Sequence, residues 1–400
     1  MFKSIVKFIF LIWELLYLPL LLILCFIARF FKKPIDIGLG PEPLINNFYH
    51  KKALKLFGYS AETFVKKVYF IINKFDFNFS SGIKLLDLIL FRVIFIDFLF
   101  SIFRYKSLYI YFTGGPLSQS YFLWQFEPYF LKLANLKVVV MPYGSDVQTL
   151  DQTPNLYFRH AYTVDYPSQR FIQSLVKRKR DLWIKNADCI VAGCDWVDYL
   201  YYWDVLLVSH FSIDVNYLYE SLTKNKYTED LKNQNDKDFV ILHAPNHKYL
   251  KGTSFVNKAI LELKQEGFSI DYRLIEGKTN DEIISLIDSA DLIIDQLVVG
   301  WYAMFAIEAM ALKKPVICFL REDLLNLYRF AGLIKKDEPP LINSHPLDLK
   351  DTLRKCLTNQ IDLKNFGDRG FEYVEKIHSI RSIGEKFDSI NVNIGLKADS

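Results

Sequence analysis

One carboxylate stands alone in an apolar stretch, residues 297–312, LVVGWYAMFAIEAMAL, which runs directly into KKPVICFL. The pattern predicts a tight turn, a helix and a strand, and Glu308 is the only formally charged residue of the sixteen. A carboxylate buried there without a partner would cost several kcal/mol. Glu308 therefore either faces solvent on an exposed stripe or binds something. A ribose diol is one suitable partner, because a carboxylate accepts hydrogen bonds from two hydroxyls.

A second group of polar residues lies in HAPNHKYLKGT, residues 243–253, between a predicted strand and a predicted helix. Lys251 and the backbone N–H groups at the helix start suit a phosphate. Gly252 removes a side chain where a ligand can approach closely. His247 and Lys248 can add donors. The alternative is an ordinary surface turn rich in lysine.

Together the two stretches resemble the GT-B retaining glycosyltransferases of the glycosyltransferase 4 type. The matching segments are KGT at 251–253 and EAMALKKPVI at 308–317. Glu308 therefore lies 57 positions after Lys251. ADLIID at 290–295 fits the strand that precedes this signature. In the first half of the chain, PYGSDV at 142–147 is similar to a His-Gly-Ser-Asp turn in that family.

The resemblance implies that a nucleotide-diphosphate sugar, UDP- or GDP-linked, binds the second domain. Lys251 would contact the diphosphate and Glu308 the ribose, and the acceptor would approach from the first domain. Transfer would retain the anomeric configuration, without a metal or other cofactor, if cationic side chains and helix N-termini stabilise the leaving diphosphate. The residues expected to be catalytic are Lys251, Glu308 and Asp146. Donor binding is expected at Asn246, His247, Lys248, Gly252, Gly300 and Glu308, and acceptor binding at Gly114, Gly115, Gly144 and Ser145.

Three positions depart from the family pattern. Gly300 stands where the family often has a second Glu, eight positions before the first, and Asn246 stands where it often has Arg. Tyr143 stands at the place of the first-domain His. These differences motivate one alternative, a non-catalytic GT-B partner or scaffold protein. A sugar-nucleotide epimerase, which shares the architecture, is a second alternative.

The elements that must position these residues alternate between strand-like and helix-like segments in both halves of the chain. This alternation predicts an α/β protein of the GT-B type, with two doubly wound Rossmann-like domains that face a cleft. Ligands in such sheets bind at the carboxyl ends of strands, so the turns after strands are the expected sites. The predicted divisions are an anchor at 1–33, an acceptor domain at 34–226, a linker at 227–238, a donor domain at 239–377, and a C-terminal helix and tail at 378–400 that can cross back to the first domain.

Composition and charge exclude some classes of function. The net charge is +4, too mild to indicate nucleic acid, and we expect no such partner. The five cysteines lack the spacing of a metal site or a disulfide framework, which favours reduced thiols in the cytosol. The hydrophobic content of 51% is high for a soluble protein, and the N-terminus explains part of it.

The N-terminal segment Phe8–Ala28 contains Glu14 as its only charge. As a helix it would be about 30 Å long, enough to cross the hydrocarbon of a bilayer. The following RFFKKP contains no cleavage site, and the flanking basic residues favour a cytosolic position for the domains. A span, a kinked helix that stays in one leaflet and a buried core helix remain open. Residues 85–103 are also apolar, but three charges favour a buried or membrane-facing helix over a second span.

The stretch 168–185, SQRFIQSLVKRKRDLWIK, predicts a basic amphipathic helix. Such a helix can lie on anionic lipid or hold the phosphates of a lipid-linked acceptor. The alternative is a structural helix with a solvated charged face. The resemblance at Lys251 and Glu308, the α/β alternation and the anchor together predict a glycosyltransferase at the cytosolic face of the inner membrane. It would act on a glycan or lipid-linked acceptor, in cell-surface polysaccharide or glycolipid synthesis.

Overall fold

Two parallel β-sheets organise the chain in a computed structural model that describes residues 2–68, 74–224 and 238–397. Strands of the first sheet come from residues 35–206 and strands of the second from 239–343. Two sheets of alternating strands and helices are what the sequence predicts. The predicted linker 227–238 falls, except for its last residue, outside the described residues, and the predicted domain boundaries stay predictions.

The first sheet has a doubly wound order. Its described strands are β1 (Ile35–Leu39), β2 (Ala61–Val65), β3 (Phe77–Asn78), β4 (Tyr105–Tyr111), β5 (Lys137–Met141), β6 (Cys189–Ala192) and β7 (Val205–Leu206). They run parallel in the order β3-β2-β1-β4-β5-β6-β7. The strand order reverses between β1 and β4. The central strand β4 is buried along nearly its whole length, as expected when helices cover both faces.

The second sheet is also parallel and reverses its order once. Its described strands are β8 (Phe239–His243), β9 (Ile270–Leu274), β10 (Leu292–Ile294), β11 (Val316–Cys318) and β12 (Ile342–Asn343). Their order is β12-β11-β10-β8-β9, so the topological switch point lies between β8 and β10. A ligand is expected outside the carboxyl ends of these two strands.

Helices connect the strands and cover the sheets. Those of the first part are α1 (Phe2–Ala28), α2 (Ile45–Leu56), α3 (Lys84–Ile89), α4 (Ile96–Arg104), α5 (Glu127–Leu133), α6 (Leu156–Asp165), α7 (Gln169–Asn186) and α8 (Val215–Lys224). Those of the second are α9 (Lys248–Lys251), α10 (Thr253–Gln265), α11 (Asn280–Asp288), α12 (Met304–Ala311), α13 (Glu322–Phe330), α14 (Leu349–Leu357), α15 (Leu363–Ile377) and α16 (Ile380–Asn393).

The segment 85–103 is not the single helix that its apolar run predicts. It contains α3, a π-helical turn at Leu90–Ile94 and α4, and the break is at Phe95, whose φ is 55°. None of its residues before Phe95 is buried, whereas Phe98 and Ile102 of α4 are fully buried. Within this segment, therefore, only α4 belongs to the core of the first domain.

The last helix, α16, packs against α2 and the first sheet. Phe387 is fully buried, with its ring centroid 5.2 Å from that of Tyr109 on β4. Tyr109 also donates a hydrogen bond to Asn391 at 2.9 Å. Helix α16 thereby lies against the first domain and joins the two halves.

We predict that Phe387→Ala lowers the free energy of unfolding by about 3–5 kcal/mol, because it leaves a cavity between α16 and the first sheet. Val392→Ala is the control, since Val392 is 55% exposed on the same helix and should change stability by about 0.5 kcal/mol or less. Denaturant unfolding of the full chain measures both. Equal losses in the two variants would contradict the docking of α16.

Candidate donor and acceptor cavities

The topological switch point of the second sheet holds a buried ion pair. Lys251 follows β8, and Asp295 directly follows β10. Lys251 Nζ lies 2.5 Å from Asp295 Oδ1, and Asp295 is fully buried. The sequence gives no role to Asp295, because its partner becomes visible only when β8 and β10 are known to be neighbours.

His243, at the end of β8, fixes the turn that carries Lys251. Its Nδ1 lies 2.9 Å from the carbonyl oxygen of Ile294, and its Nε2 lies 2.9 Å from Thr253 Oγ1. Burial lowers the pKa of His243 to about 4, so the ring is neutral at physiological pH. The ring links β8, β10 and the start of α10, which sets the position of Lys251.

Glu308 lies on the buried face of α12, with 4% of its surface exposed. Its Oε1 accepts a hydrogen bond from Asn280 Nδ2 at 2.7 Å. Burial raises the pKa of Glu308 to about 7. The hydrogen bond from Asn280 and the charge of Lys251 lower the pKa of Glu308, whereas the charge of Asp295 raises it. The exposed stripe considered as an alternative for this helix is therefore wrong.

One cavity of about 220 Å³ brings together Asn246, Lys251 and Glu308, three of the predicted donor-site residues. Its other lining residues come from the turns after β8 and β9, from α11 and α12, and from α2 of the first domain. They are Ile45, Ala244, Ile275, Gly277, Lys278, Asn280, Ile283, Met304 and Phe305. The cavity thus opens at the carboxyl edge of the second sheet.

The start of α12 lies between this cavity and a second one. Ala303, the residue before the helix, offers no side-chain cap, so the first N–H groups have no intrahelical partner. Met304 and Phe305 line the cavity with Lys251, while Ala303 lines the other. Such a helix start is suited to an anionic group that reaches across both cavities.

The second cavity, of about 210 Å³, lies between the two domains. Gly144 and Ser145, both predicted to bind acceptor, line it from the first domain, and Gln296 and Tyr302 line it from the second. Asp195 also lines it and is a residue that sequence reasoning missed. Its position three residues after the end of β6, in a 3₁₀ turn at Cys194–Asp198, was the available signal.

Asp195 is a buried carboxylate with few donors. Its Oδ2 accepts from Gln148 Nε2 at 3.2 Å. Burial raises the pKa of Asp195 to about 7, and the nearby charge of Asp198 adds to the rise. A carboxyl group in a cleft with a pKa near neutrality is suited to proton transfer.

Asp146 does not have the geometry expected of a catalytic residue. Its Oδ1 accepts from the N–H groups of Tyr143 and Gly144, and its Oδ2 from that of Phe112, at 2.9–3.0 Å. Both oxygens are thus used within the protein. Asp146 ties the turn after β5 to the end of β4 and holds Gly144 at the cavity wall.

The pair Gly114–Gly115 forms an internal turn instead of an open acceptor site. The N–H groups of Gly115 and Leu117 donate to the buried Glu127 at 3.1 and 2.7 Å. A Cβ at Gly115 would lie 2.8 Å from Glu127 Oε1. Both glycines are buried, which leaves no surface for an acceptor there.

Of the residues in the turn before α10 that were predicted to bind the donor, some line the cavity and others do not. His247 contacts the hydroxyl of Tyr166, across the cleft, and Lys248 pairs with Glu276 at 2.8 Å. Gly252 has a φ of 74°, and a Cβ there would lie 3.0 Å from Leu297. These three residues shape the turn and the cleft, while Asn246 and Lys251 line the cavity.

Gly300, which replaces the second Glu of the family pattern, leaves room for an arginine. Its φ is 96°, and a Cβ would lie 2.6 Å from Arg321 Cδ. Arg321 crosses the cleft to pair with Asp198 of the first domain at 2.5 Å. The position thus contributes to closing the two domains on each other.

The basic cluster of α7 is used internally. Lys179 Nζ donates to the carbonyl oxygens of Thr113 and Ser118 at 2.8 Å, and Arg178 donates to Gln125 at 2.8 Å. Lys177 pairs with Asp151, and Arg180 contacts Gln152. The cluster therefore supports the alternative of a structural helix over a lipid or phosphate site.

Comparisons with known proteins identify the fold. No protein-family model and no curated protein matches the sequence. Among solved structures, sucrose-phosphate synthase from Thermosynechococcus elongatus is similar at 13% identity, a TM-score of 0.58, and coverage of 90% of this chain and 99% of that chain. Anabaena HepE in complex with UDP-glucose is similar at 12% identity, a TM-score of 0.53, and coverage of 89% and 98%. A Listeria monocytogenes protein described as a UDP-N-acetylglucosamine 2-epimerase is similar at 12% identity, a TM-score of 0.51, and coverage of 90% and 96%.

These similarities show that the chain has the GT-B fold, and the predicted fold class is confirmed. Identities of 12–13% show the fold alone. The reaction must therefore be argued from the two cavities.

We predict that Lys251→Met destabilises the protein by about 3–5 kcal/mol, because it leaves Asp295 as a buried charge without a cation. Adding Asp295→Asn should restore much of this loss. Lys248→Met is the control, since its pair with Glu276 is exposed and worth about 1 kcal/mol or less. Thermal and denaturant unfolding of the four proteins measure the difference. A Lys251→Met variant that is as stable as Lys248→Met would show that Lys251 and Asp295 do not form a buried ion pair.

Proposed function

We propose that this protein is a glycosyltransferase of the glycosyltransferase 4 type that moves a sugar from a nucleotide-diphosphate sugar to a glycan or lipid-linked acceptor, with retention. The observation that carries the proposal is the meeting of Lys251 and Glu308 in one cavity at the switch point of the second sheet. We place the reaction at the cytosolic face of the inner membrane, in cell-surface polysaccharide or glycolipid synthesis, with α1 as the membrane attachment.

The donor, a UDP- or GDP-sugar, would occupy both cavities. Its ribose hydroxyls would donate to Glu308, and its diphosphate would lie between Lys251 and the free N–H groups of α12. The sugar would then project past Ala303 into the cavity between the domains. Lys251 and the helix start would stabilise the leaving diphosphate, so the proposal assigns no metal or other cofactor. The similarity to HepE, which was solved with UDP-glucose, supports a nucleotide sugar as the ligand.

The acceptor would approach from the first domain, past Gly144 and Ser145. Asp195 lies in the same cavity, where it can orient an acceptor hydroxyl or take up its proton. We therefore assign to Asp195 the role that the sequence suggested for Asp146.

An epimerase is the second candidate, supported by the similarity to the Listeria monocytogenes protein. Incubation with UDP- and GDP-sugars, with and without a membrane extract as the source of acceptor, separates the candidates. Transfer of labelled sugar to the extract supports the transferase. An epimerised nucleotide sugar formed without acceptor supports the epimerase. Neither product, with no binding of any nucleotide sugar, would support a non-catalytic partner protein.

We predict that the affinity for UDP-glucose falls about tenfold from pH 8 to pH 6. The physical reason is that the Glu308 carboxyl, with a pKa of about 7, becomes protonated and loses acceptor capacity for the ribose. Calorimetric titration across this range measures the effect. UDP-glucose is preferred to UDP, whose terminal phosphate itself titrates near pH 6.

The control is Glu308→Gln, which should bind more weakly at pH 8 and show no pH dependence. A variant that keeps the full affinity and the full pH dependence would show that Glu308 does not hold the ribose.

We predict that Asp195→Asn lowers the rate of sugar transfer at least about a hundredfold, while the dissociation constant for the donor changes little. Asp181→Asn is the control, since Asp181 is a partly exposed carboxylate of α7. Transfer to a membrane extract and calorimetric donor binding are measured separately. An unchanged transfer rate would remove Asp195 from the reaction.

A further inference from the structure

The N-terminal helix α1 combines two features that restrict how it can meet a membrane. Among the described residues, one helix is long and apolar enough to cross a bilayer, and it is α1, over Ile5–Ala28. It is also attached along one side to the first domain. The attachment, together with a basic groove at the end of the helix, points to one geometry.

A narrow stripe of α1 packs on the domain over the second half of the helix, from Glu14 to Ala28. Its fully buried members are Glu14, Leu21, Cys25 and Ala28, spaced at three, four and seven residues. Around this stripe the helix exposes large apolar side chains to the outside. They include Phe8, Ile9, Ile12, Leu15, Leu16, Leu20, Ile23 and Phe26.

The buried Glu14 fastens the middle of the helix to a loop of the first domain. Its oxygens accept hydrogen bonds from the N–H groups of Tyr121, Phe122 and Leu123 at 2.6–3.2 Å. Trp13 donates to the carbonyl oxygen of Val93 at 3.1 Å. The centre of the apolar helix is thus tied to irregular backbone that belongs to the domain.

The contacts of α1 continue toward both ends. Near its start, Lys7 Nζ lies 6.0 Å from the centre of the Tyr121 ring. At its end, the carbonyl oxygens of Ala28 and Ala134 both accept from Lys33 Nζ. The domain therefore buries one side of α1 over about 20 Å, from Glu14 to Ala28, which is about two thirds of the thickness of the hydrocarbon. A spanning α1 would carry this irregular, polar face of the domain into lipid, which such backbone does not tolerate.

A second apolar surface adjoins α1. Helix α3 exposes Leu85, Leu86 and Leu88 and leads into the π-helical turn whose carbonyl groups bind Trp13 and Tyr17. The two helices together give an apolar area far wider than one helix face. Scattered apolar residues are normal on a soluble protein, but a contiguous area of this kind marks a contact with lipid or protein.

Charge indicates which of these partners is present. A groove of about 490 Å³ begins at the end of α1 and is lined by Arg29, Lys132, Lys137 and Lys185. Lys137 pairs with Asp188, whereas no ion pair is found for the other three within the described residues. The exposed Tyr129 lies in the same groove. Basic and aromatic groups beside an apolar face match the headgroup level of an anionic bilayer.

We propose that α1 does not span the membrane but lies in the plane of one leaflet, with the exposed sides of α1 and α3 in the acyl chains and the Arg29–Lys132–Lys185 groove on anionic headgroups. The proposal concerns membrane attachment and does not depend on the identity of the donor. Both ends of α1 then lie on the same side of the membrane as the two domains.

The test uses full-length protein in membranes, with single reactive cysteines at Lys7→Cys near the start of α1 and Lys364→Cys, 87% exposed, on the second domain. The five native cysteines are buried, which keeps their labelling low. An impermeant maleimide should label both sites in inside-out vesicles and neither site in intact spheroplasts. Labelling of Lys7→Cys from the outside only would establish a span and overturn the proposal, and so would recovery of the protein in the soluble fraction.

The groove is tested by flotation of the purified protein with vesicles that contain phosphatidylglycerol. Lys132→Glu/Lys185→Glu should weaken binding by more than about tenfold, because each basic residue near an anionic surface adds about 1 kcal/mol. The matched control is Lys258→Glu/Lys264→Glu on α10, with the same change in net charge at exposed positions of the second domain. Equal losses in both variants, or no loss in either, would remove the groove from the membrane contact.

Discussion

A carboxylate withdrawn from water must receive hydrogen-bond donors or a cation, and both halves of this protein are assembled around that requirement. Glu14, Glu127 and Asp146 each accept two or three backbone N–H groups, and both oxygens of each are used. Each one fixes a loop of the first domain. Glu14 fixes the position of α1 as well, so the N-terminal helix and the loops of the first domain depend on the same kind of interaction.

Two other buried carboxylates are less well supplied, and this separates the cavities from the supporting structure. Glu308 receives one side-chain amide, from Asn280, and Asp195 receives one from Gln148. Each lines a cavity. The pKa does not separate the two sets, because burial raises it to about 7 for Glu127 and Asp146 as well as for Glu308 and Asp195. The difference lies in the hydrogen bonds: a buried carboxylate with donor positions left open gains most from a ligand that brings hydroxyl donors.

The sequence identified two residues that line one cavity at the switch point of the second sheet, but it did not identify their contacts inside the protein. Lys251 and Glu308 were identified because their types and spacing match a family signature. Asp295 was not, since its role depends on β8 and β10 being neighbours at a switch point. Asp146 was expected to be catalytic because PYGSDV, residues 142–147, is similar to a His-Gly-Ser-Asp turn of that family. Residue type does not reveal that backbone N–H groups already use both oxygens.

The alternation of strand-like and helix-like segments predicted two parallel sheets, because short hydrophobic runs can be recognised in the sequence itself.

The buried stripe of α1 could be recognised in the sequence only in part. Glu14 was noted as a lone charge in an apolar run, but its three donors lie more than a hundred residues further along the chain. A choice between a span and an in-plane helix depends on those contacts, so composition alone left it open.

The departure at Gly300 is best understood through the charge balance near the start of α12. In the proposed donor complex, the free N–H groups of α12 would stabilise much of the charge of the diphosphate, because the cation of Lys251 is already offset by Asp295. A Glu four positions before that helix would add a negative charge beside them. Gly300 carries no charge and admits Arg321, whose pair with Asp198 closes the cleft over the same region. A glycine at this position is therefore compatible with the proposed anion at the helix start, and it lets Arg321 join the two domains.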